Sequence, residues 1–332
     1  MNYEIINVLE AETKTLAKID EFVFSNRTNG EFVSSIKYLS YHPRERFEDD
    51  SIAVIDRESG TIRGVMLAAK KKGSEKCIIS HPGTTFAGPV VDYHVDIASS
   101  IEILNMMLQY YEEKYDVVEI RLRPTVYDAQ PMEFLPYYLL SHGYNAGMMA
   151  LANIIDIRSV KTEQDLLSLY TSKRRNHVRK AIKEALYCFN EREKVEEFIW
   201  NNMNENLKGK YQSETTHSFQ EICQLRELFP TRIVPYTAER NDQKYGAFVL
   251  VYKFKKVFHT QYLDLNYKYS SEYPHLYLVH KLILKAREEG YDYFSFGSST
   301  DERGKYLNEG LFHYKSGYGG GSIILPVYVR EK

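Results

Sequence analysis

The residue types best suited to chemistry lie near the C-terminal end of the chain, in residues 291–320. A strand-like run at residues 291–296 leads into a loop of small, turn-forming residues. That loop is Gly297, Ser298, Ser299 and Thr300. Unlike polar side chains follow within about four helical turns, namely Glu302, Lys305, Asn308, Glu309, His313 and Lys315. A segment that served only for packing would not need this mixture of polar side chains, so we predict that residues 291–320 form the edge of a site.

Anion binding and proton transfer are the chemistry that these residue types can perform. A loop of this composition leaves backbone N–H groups free, so those of residues 297–300 are candidates for binding an anion or an oxyanion. Lys315 is suited to pairing with a carboxylate or a phosphate, and Glu309 or His313 to accepting a proton. An ordinary exposed helix face explains Glu309 and His313 as well, so both interpretations stay open.

A second candidate is the segment of residues 172–183, which carries six basic residues and no acidic one. If it is helical, Arg175 and Arg179 lie one turn apart beside Asn176. Such a face could bind the phosphates of a nucleotide-linked acceptor or of a tRNA, with Asn176 adding a hydrogen bond. A solvated basic face is the alternative. Nucleic-acid binding would be recognised by an affinity that falls steeply with salt.

His259 is a reserve catalytic candidate. It lies on a predicted strand at residues 256–265, where Gln261 shares its side and Asp264 faces the other. A hydrogen-bonded histidine of the core is the alternative interpretation.

Length, net charge and cysteine content exclude several classes of protein. A chain of 332 residues exceeds what one core usually supports, so two domains are expected. The net charge of −2 argues against a protein that coats nucleic acid through bulk charge. Three isolated cysteines without CxxC spacing indicate neither a disulfide framework nor a zinc site, so no metal is predicted. Without a signal-like N-terminus or a run of ~20 apolar residues, we expect a cytoplasmic protein with no membrane insertion.

Hydrophobic periodicity predicts the elements that position these residues. In the first half, a strand at residues 2–8 and a helix at 13–24 precede β-like runs at 51–56 and 62–69. A long helix follows at 97–115, with Ile97, Ile101, Leu104 and Leu108 on one face, and then strands at 117–122 and 148–157. In the second half, capping boxes at Thr162 and Ser218 begin helices. Three strands follow at residues 232–239, 244–252 and 256–265, then an amphipathic helix at 276–288 with Leu276, Val279, Ile283 and Ala286 on one face.

The two halves resemble each other. Residues 112–120, a Glu-Glu-x-Tyr-Asp pattern followed by a strand, match residues 288–296, and residues 142–144 match 316–318. This predicts two copies of one α+β unit, divided as residues 1–160 and 161–332. Lys315 aligns with Ser141, so we expect the N-terminal copy to be degenerate and the C-terminal copy to build the active site.

Three segments of the second half resemble the FemABX family and related acyltransferases of the GNAT superfamily. They are the helix Lys-Arg-Arg-Asn-His-Val-Arg-Lys-Ala at residues 173–181, the strand end at 296–300, and residues 307–311 leading to Tyr-Lys-Ser-Gly-Tyr-Gly at 314–319. The last is similar to the family's Phe-Lys-x-x-Phe-Gly signature, with tyrosine in place of both phenylalanines.

The resemblance implies an α+β fold of two tandem GNAT-like domains, with mixed sheets flanked by helices. It implies transfer of an acyl group from acyl-CoA or aminoacyl-tRNA to an amine on a small molecule, a peptide or a nucleotide-linked acceptor. It further implies that Lys315 approaches the acceptor or its phosphates, and that His259 lies where the sheet splays to admit the acyl carrier.

Two other functions stay open. One is acetylation of a small amine by an acetyl-CoA-dependent GNAT enzyme, and the other is a catalytically silent protein that binds a ligand in the cleft between its domains. The Arg/Gln-x-x-Gly-x-Gly/Ala loop that GNAT enzymes use for the diphosphate of CoA precedes neither long helix. In the second half its place is taken by residues 267–274.

Overall fold

The structure is a computed structural model that describes residues 2–43 and 45–332. The chain divides into two compact units. The first unit contains residues 1–150, 303–305 and 324–332, and the second contains residues 151–302 and 306–323. Residues 151–160, predicted to belong to the first domain, therefore pack with the second unit. The boundary of the repeated unit near residue 160 stays a prediction.

Eighteen strands, ten α-helices and five short 3-10 helices make up the regular structure of the described residues. The strands are β1 (Tyr3–Asn7), β2 (Ile52–Asp56), β3 (Ile62–Met66), β4 (Ala68–Lys70), β5 (Cys77–Ser80), β6 (Val90–Val91), β7 (Val117–Arg121), β8 (Asn145–Ala146), β9 (Ala150–Asp156), β10 (Tyr187–Glu191), β11 (Ile233–Arg240), β12 (Tyr245–Lys253), β13 (Val257–Leu265), β14 (Tyr293–Ser298), β15 (Thr300–Asp301), β16 (Tyr306–Leu307), β17 (Gly321–Leu325) and β18 (Val327–Glu331). The helices are α1 (Thr13–Phe24), α2 (Ile36–Leu39), α3 (Ile97–Lys114), α4 (Phe134–Ser141), α5 (Glu163–Leu169), α6 (Ser172–Glu184), α7 (Glu197–Tyr211), α8 (Phe219–Leu228), α9 (Pro274–Glu288) and α10 (Glu309–Ser316).

The first unit is built on two sheets, with strand orders β1-β2-β3-β6 and β4-β5-β7-β18-β8. Its long helix α3 begins at Asp96, whose carboxylate accepts the Ser99 N–H at 3.0 Å. Leu104 and Leu108 are buried as their spacing predicts, whereas Ile97, placed on the same predicted face, is 59% exposed. The single strand predicted at residues 62–69 is wrong, because β3 and β4 pair in different sheets.

The second unit is built on one seven-stranded sheet, in the order β10-β11-β12-β13-β14-β9-β17. Successive strands from β10 to β13 pair antiparallel, whereas β13 pairs parallel to β14. The helix α9 connects these two parallel strands and buries Leu276, Val279, Ile283 and Ala286, which confirms the predicted face. Both predicted capping boxes, at Thr162 and Ser218, are present.

The repeat is visible in the strand pairing. In the first unit, β5 and β7 are parallel and α3 lies between them in sequence. In the second unit, β13 and β14 are parallel with α9 between them. Mixed sheets with helices confirm the predicted α+β class. No helix in the described part of the chain has the length and apolar character needed to cross a membrane.

Candidate functional site

Lys315 is buried in the last turn of α10. The helix begins at Asn308, whose side chain accepts the Leu311 N–H at 3.0 Å. Only 8% of Lys315 is exposed. Its Nζ donates hydrogen bonds to the carbonyl oxygens of Gly297, at 3.2 Å, and of Ser298. The lysine is therefore held by neutral acceptors at the end of β14.

The backbone at Gly297 turns those carbonyls towards the lysine. The register of β14 against β9 shifts between Ser295 and Gly297, and Gly297 has a φ of +67°. A Cβ at Gly297 would lie 3.2 Å from Cε1 of His259. Glycine suits this position because it adopts a positive φ without strain and lets the histidine approach closely.

The N–H groups predicted to bind an anion are largely used within the protein. The Gly297 N–H donates to Ser295 Oγ at 3.2 Å, the Ser299 N–H to the Leu151 carbonyl at 2.7 Å, and the Thr300 N–H to Ser298 Oγ at 3.2 Å. This corrects the expectation of a free N–H cradle. The loop instead offers the carbonyl oxygens of Gly297 and Ser298 to Lys315, beside the register shift at Gly297.

The side chains of this loop are also satisfied internally. Ser298 Oγ and Thr300 Oγ1 are hydrogen-bonded at 2.9 Å. Ser299 is fully buried, and its Oγ donates to Asn153 Oδ1 at 2.6 Å. Ser299 therefore anchors the loop to β9, and only the carbonyl side of the loop faces the lysine.

His259 lies where two parallel strands part. The pairing of β13 with β14 stops at His259 and Ser295, although β13 continues to Leu265 and β14 to Ser298. His259 Nδ1 and Ser295 Oγ are hydrogen-bonded at 3.1 Å. Burial, together with the charge of Lys315, lowers the pKa of His259 to about 3. The structure thus brings a neutral imidazole and Lys315 together beside Gly297, at the splay between β13 and β14.

Burial also lowers the pKa of Lys315 to about 7, from its usual 10.5. In the described part of the chain, no carboxylate pairs with this amine. At neutral pH the lysine is therefore divided between its charged and neutral forms. An anionic ligand would restore the charged form.

Stability should depend on pH through Lys315. Between pH values of about 7 and 10.5 the unfolded chain binds a proton that the folded protein lacks, so this group adds stability as pH rises through that window. We expect Lys315→Met to have a larger free energy of unfolding than wild type at about pH 6. This difference should be smaller at about pH 10, by roughly 1.4 kcal/mol for each unit by which folding lowers the lysine pKa. Urea unfolding of both proteins at the two pH values measures the difference. An advantage that does not change with pH would contradict the lowered pKa.

Glu309 and His313 are not brought to Lys315. Both are exposed on α10, one turn apart, while Lys315 is buried. Their placement matches the exposed helix face that was the alternative interpretation, and their role as proton acceptors stays a prediction.

The basic helix α6 contacts the Lys315 segment through Arg174, which is not among the residues predicted for the site. Arg174 Nη2 donates to the Tyr314 carbonyl at 2.6 Å, and its guanidinium lies over the rings of Tyr314 and Tyr318, 4.6 and 4.3 Å from their centroids. The sequence feature that could have indicated such a contact is the pair of tyrosines, four residues apart, on either side of Lys315. Arg174 therefore fixes the segment that carries the lysine.

The other selected residues of α6 face away from that contact. Arg179 and Asn176 are exposed and Arg175 is half-buried. Arg179 Nη2 makes a long contact of 3.5 Å with Gln164 Oε1. These side chains are accessible to a phosphate, and their role as a phosphate-binding face stays a prediction.

The start of α9 does not fit the diphosphate of CoA as a glycine-rich loop would. The N–H groups of Tyr269 and Tyr273 donate within the connection, to the carbonyls of Asn266 and Ser270. Pro274 at the start of the helix has no N–H. The carboxylate of Glu272 lies in the same connection, bonded to Tyr187 and Arg240, and would repel a phosphate. In the part of the chain that the structure describes, no three His, Cys, Asp or Glu side chains group as metal ligands.

The architecture defined by these sheets is a FemX-like fold of two GNAT-like domains in tandem. The chain is similar to FemX, with a TM-score of 0.68 and 15% identity over 99% of this chain and 97% of the other. It is similar to the C-terminal domain of a putative lysylphosphatidylglycerol synthetase from Agrobacterium fabrum, with a TM-score of 0.58 and 11% identity over 96% and 92% of the two chains.

A third similar structure is a tandem GNAT protein from the clavulanic acid biosynthesis pathway, with a TM-score of 0.54 and 8% identity over 99% and 98% of the two chains. No protein-family model matches the sequence, and a search of curated proteins finds no match. At these identities the similarity shows the fold, and the predicted tandem GNAT-like architecture is confirmed.

Proposed function

We propose that this protein is an N-acyltransferase that moves an activated acyl or aminoacyl group from its carrier to an amine. The observation that carries the proposal is Lys315, a buried lysine without an acidic partner in residues 2–43 and 45–332, held at the splay between β13 and β14. A buried amine without a carboxylate is unfavourable for stability alone. Its placement suits a ligand that brings negative charge.

Lys315 serves this reaction as a hydrogen-bond donor to the oxyanion. The amine nitrogen attacks the acyl carbon, a C–N bond forms, and the bond between the acyl carbon and the carrier oxygen or sulfur breaks. The proton lost by the amine leaves with the carrier. Negative charge collects on the acyl oxygen in the transition state, and the third Nζ–H of protonated Lys315, beyond the two donated to Gly297 and Ser298, stabilises it. His259 borders the splay between β13 and β14 as well, and because its imidazole is neutral it adds no second positive charge beside Lys315.

An aminoacyl ester on RNA is the donor that we favour over acyl-CoA. The connection before α9 uses N–H groups internally and contains Glu272, whose carboxylate would repel a diphosphate. The exposed basic residues of α6 suit an RNA backbone. FemX and the lysylphosphatidylglycerol synthetase domain are among the similar structures, which supports the same choice. The acceptor is an amine on a small molecule, a peptide or a nucleotide-linked molecule, and a cytoplasmic location stays a prediction.

Donor specificity tests the proposal. Total tRNA charged with radiolabelled amino acids and, separately, labelled acetyl-CoA are incubated with the protein and a panel of primary amines, and label in an alkali-stable amide is counted. We expect transfer from aminoacyl-tRNA. Transfer from acetyl-CoA alone would support the acetyltransferase alternative, and amine binding without transfer from either donor would support the silent binding protein.

The basic face of α6 should carry part of the RNA affinity. In the double variant Arg175→Gln/Arg179→Gln we expect weaker RNA binding and a slope of log affinity against log salt that is smaller by about two, because each lost cation releases about one counterion fewer. Filter binding of uncharged tRNA across a salt series measures both. Arg57→Gln, at a half-exposed arginine paired with Glu4 in the first unit, is the control. An unchanged slope would remove α6 from the RNA site.

A further inference from the structure

A β-bulge in β13 places Gln261 beside His259. Thr260 pairs with Val251 and Tyr262 with Leu250, so Gln261 has no partner in β12. A bulge of this kind redirects the side chain of the extra residue. It lies two residues beyond the point where β13 leaves β14, on the stretch of strand that borders the splay.

The Gln261 amide lies between Tyr262 and His259. Burial raises the pKa of Tyr262 to about 12, and polar groups around its phenol oxygen, among them the Gln261 side chain, oppose that rise. The Tyr262 hydroxyl is in turn bonded to His217 Nδ1 at 2.7 Å. The NH₂ group of Gln261 thus faces Tyr262, and its oxygen faces the His259 ring.

The other end of the amide has no partner. Gln261 Oε1 is buried and accepts no hydrogen bond from the residues that the structure describes. The amide lies close enough to influence the His259 ring, but the two groups do not meet at the distance and angle of a hydrogen bond. A buried amide oxygen without a donor destabilises the folded protein, so such a group in a candidate site calls for a ligand that satisfies it.

The chemistry of the reactants identifies that ligand. The acyl oxygen is an acceptor, so it pairs with the Lys315 amine and cannot pair with Gln261 Oε1. The attacking amine carries N–H groups, and one of them must be held if its lone pair is to face the acyl carbon. Gln261 Oε1 is a neutral acceptor, so it can bind the uncharged amine that attacks.

We propose that Gln261 is the acceptor-binding residue of this site, and that its Oε1 accepts an N–H of the attacking primary amine and orients it. The proposal rests on the proposed function. It predicts selectivity for amines over alcohols of the same shape. A hydroxyl has a single hydrogen and loses it on attack, whereas a primary amine keeps an N–H that Oε1 can accept.

Removing the unpaired oxygen should stabilise the free protein. To separate this effect from loss of the Tyr262 contact, Gln261→Met is compared with wild type and again in the Tyr262→Phe background. In that background we expect Gln261→Met to raise Tm by roughly 2–4 °C, since the buried oxygen is removed and no surviving bond is lost. Gln220→Met, at an exposed position of α8, is the matched control and should leave Tm unchanged. No rise in the Tyr262→Phe background would overturn the proposal.

Kinetics tests the role of the oxygen. In aminoacyl-tRNA transfer we expect Gln261→Met to raise KM for the amine about tenfold, the effect of one lost hydrogen bond, and to leave KM for the donor unchanged. The same measurement is made with a donor whose α-amino group has been replaced by a hydroxyl. A persisting effect supports the proposal. An effect that disappears assigns Oε1 to the amino group of the donor and overturns it.

Failure of the two proposals can be told apart. If wild type transfers nothing, the proposed function fails, and Gln261 is tested by binding instead. The side-chain amide signal of Gln261, assigned by its loss in Gln261→Met, is followed by nitrogen-15 NMR during titration with glycinamide and with glycolamide, in which a hydroxyl replaces the amine. A shift with glycinamide alone supports the amine site. No shift, or equal shifts, overturns it.

Discussion

Replacing Lys315 with methionine is expected to lower kcat/KM for acyl transfer by about 10²–10³-fold, the usual effect of removing one donor to an oxyanion. Methionine fills a similar volume without an N–H, so the carbonyls of Gly297 and Ser298 lose their donor and the acyl oxygen loses its stabilising contact. Steady-state transfer rates, with amine and donor varied in turn, measure the effect. The loss should fall mainly on kcat, since the interaction strengthens only in the transition state.

Two variants control this result. Lys208→Met removes an exposed lysine of α7 that pairs with Glu214, and it should leave transfer unchanged. Lys315→Arg keeps a cation but brings a larger, planar group into a buried space, so it should not restore the rate. Wild-type rates in Lys315→Met, with the fold intact by circular dichroism, would remove Lys315 from the site.

Replacing Gly319 with alanine is expected to destabilise the second unit by about 2–5 kcal/mol. Gly319, the last residue of the Tyr-Lys-Ser-Gly-Tyr-Gly segment, has a φ of +70°. A Cβ there would lie 1.6 Å from the backbone oxygen of Leu169, so the chain would have to move. The glycine of the signature is thus required for packing of the segment that carries Lys315.

Trp200 reports this unfolding directly. It is the single tryptophan of the chain, it lies in the second unit, and it is 1% exposed. Its fluorescence should show a lower urea midpoint for Gly319→Ala. The control Gly209→Ala, in α7 where an added Cβ meets nothing within 4 Å, should gain up to about 1 kcal/mol from helix propensity. Equal midpoints for Gly319→Ala and wild type would contradict the close approach to Leu169.

Much of the fold could be read from local patterns. The face of α9 and the two capping boxes follow from spacing alone, because helix periodicity and N-terminal hydrogen bonds are set within a few residues. The tandem architecture followed from the repeat and the family resemblance. The assignment of residues 62–69 to one strand failed because nothing in that run reveals that its two ends pair in different sheets.

The candidate site was predicted less completely. Lys315, His259 and Gly297 were selected from the sequence and lie together, whereas Glu309 and His313 face outward. Arg174 was missed because its neighbours Arg175 and Arg179 have the same residue type. Which arginine packs on Tyr314 and Tyr318 depends on how α6 is rotated against α10, and the sequence of α6 does not specify that rotation.

The sequence by itself determined the repeated α+β unit, its helix faces and the identity of the lysine, since these depend on periodicity and on residue type. Only the tertiary structure decided the direction of the groups around Lys315. The positive φ of Gly297 turns carbonyl oxygens towards the amine, while Ser295, Leu151 and Ser298 take up the N–H groups of the loop. A loop sequence sets which backbone groups exist, but its partners, which are distant in the chain, decide whether donors or acceptors face the site.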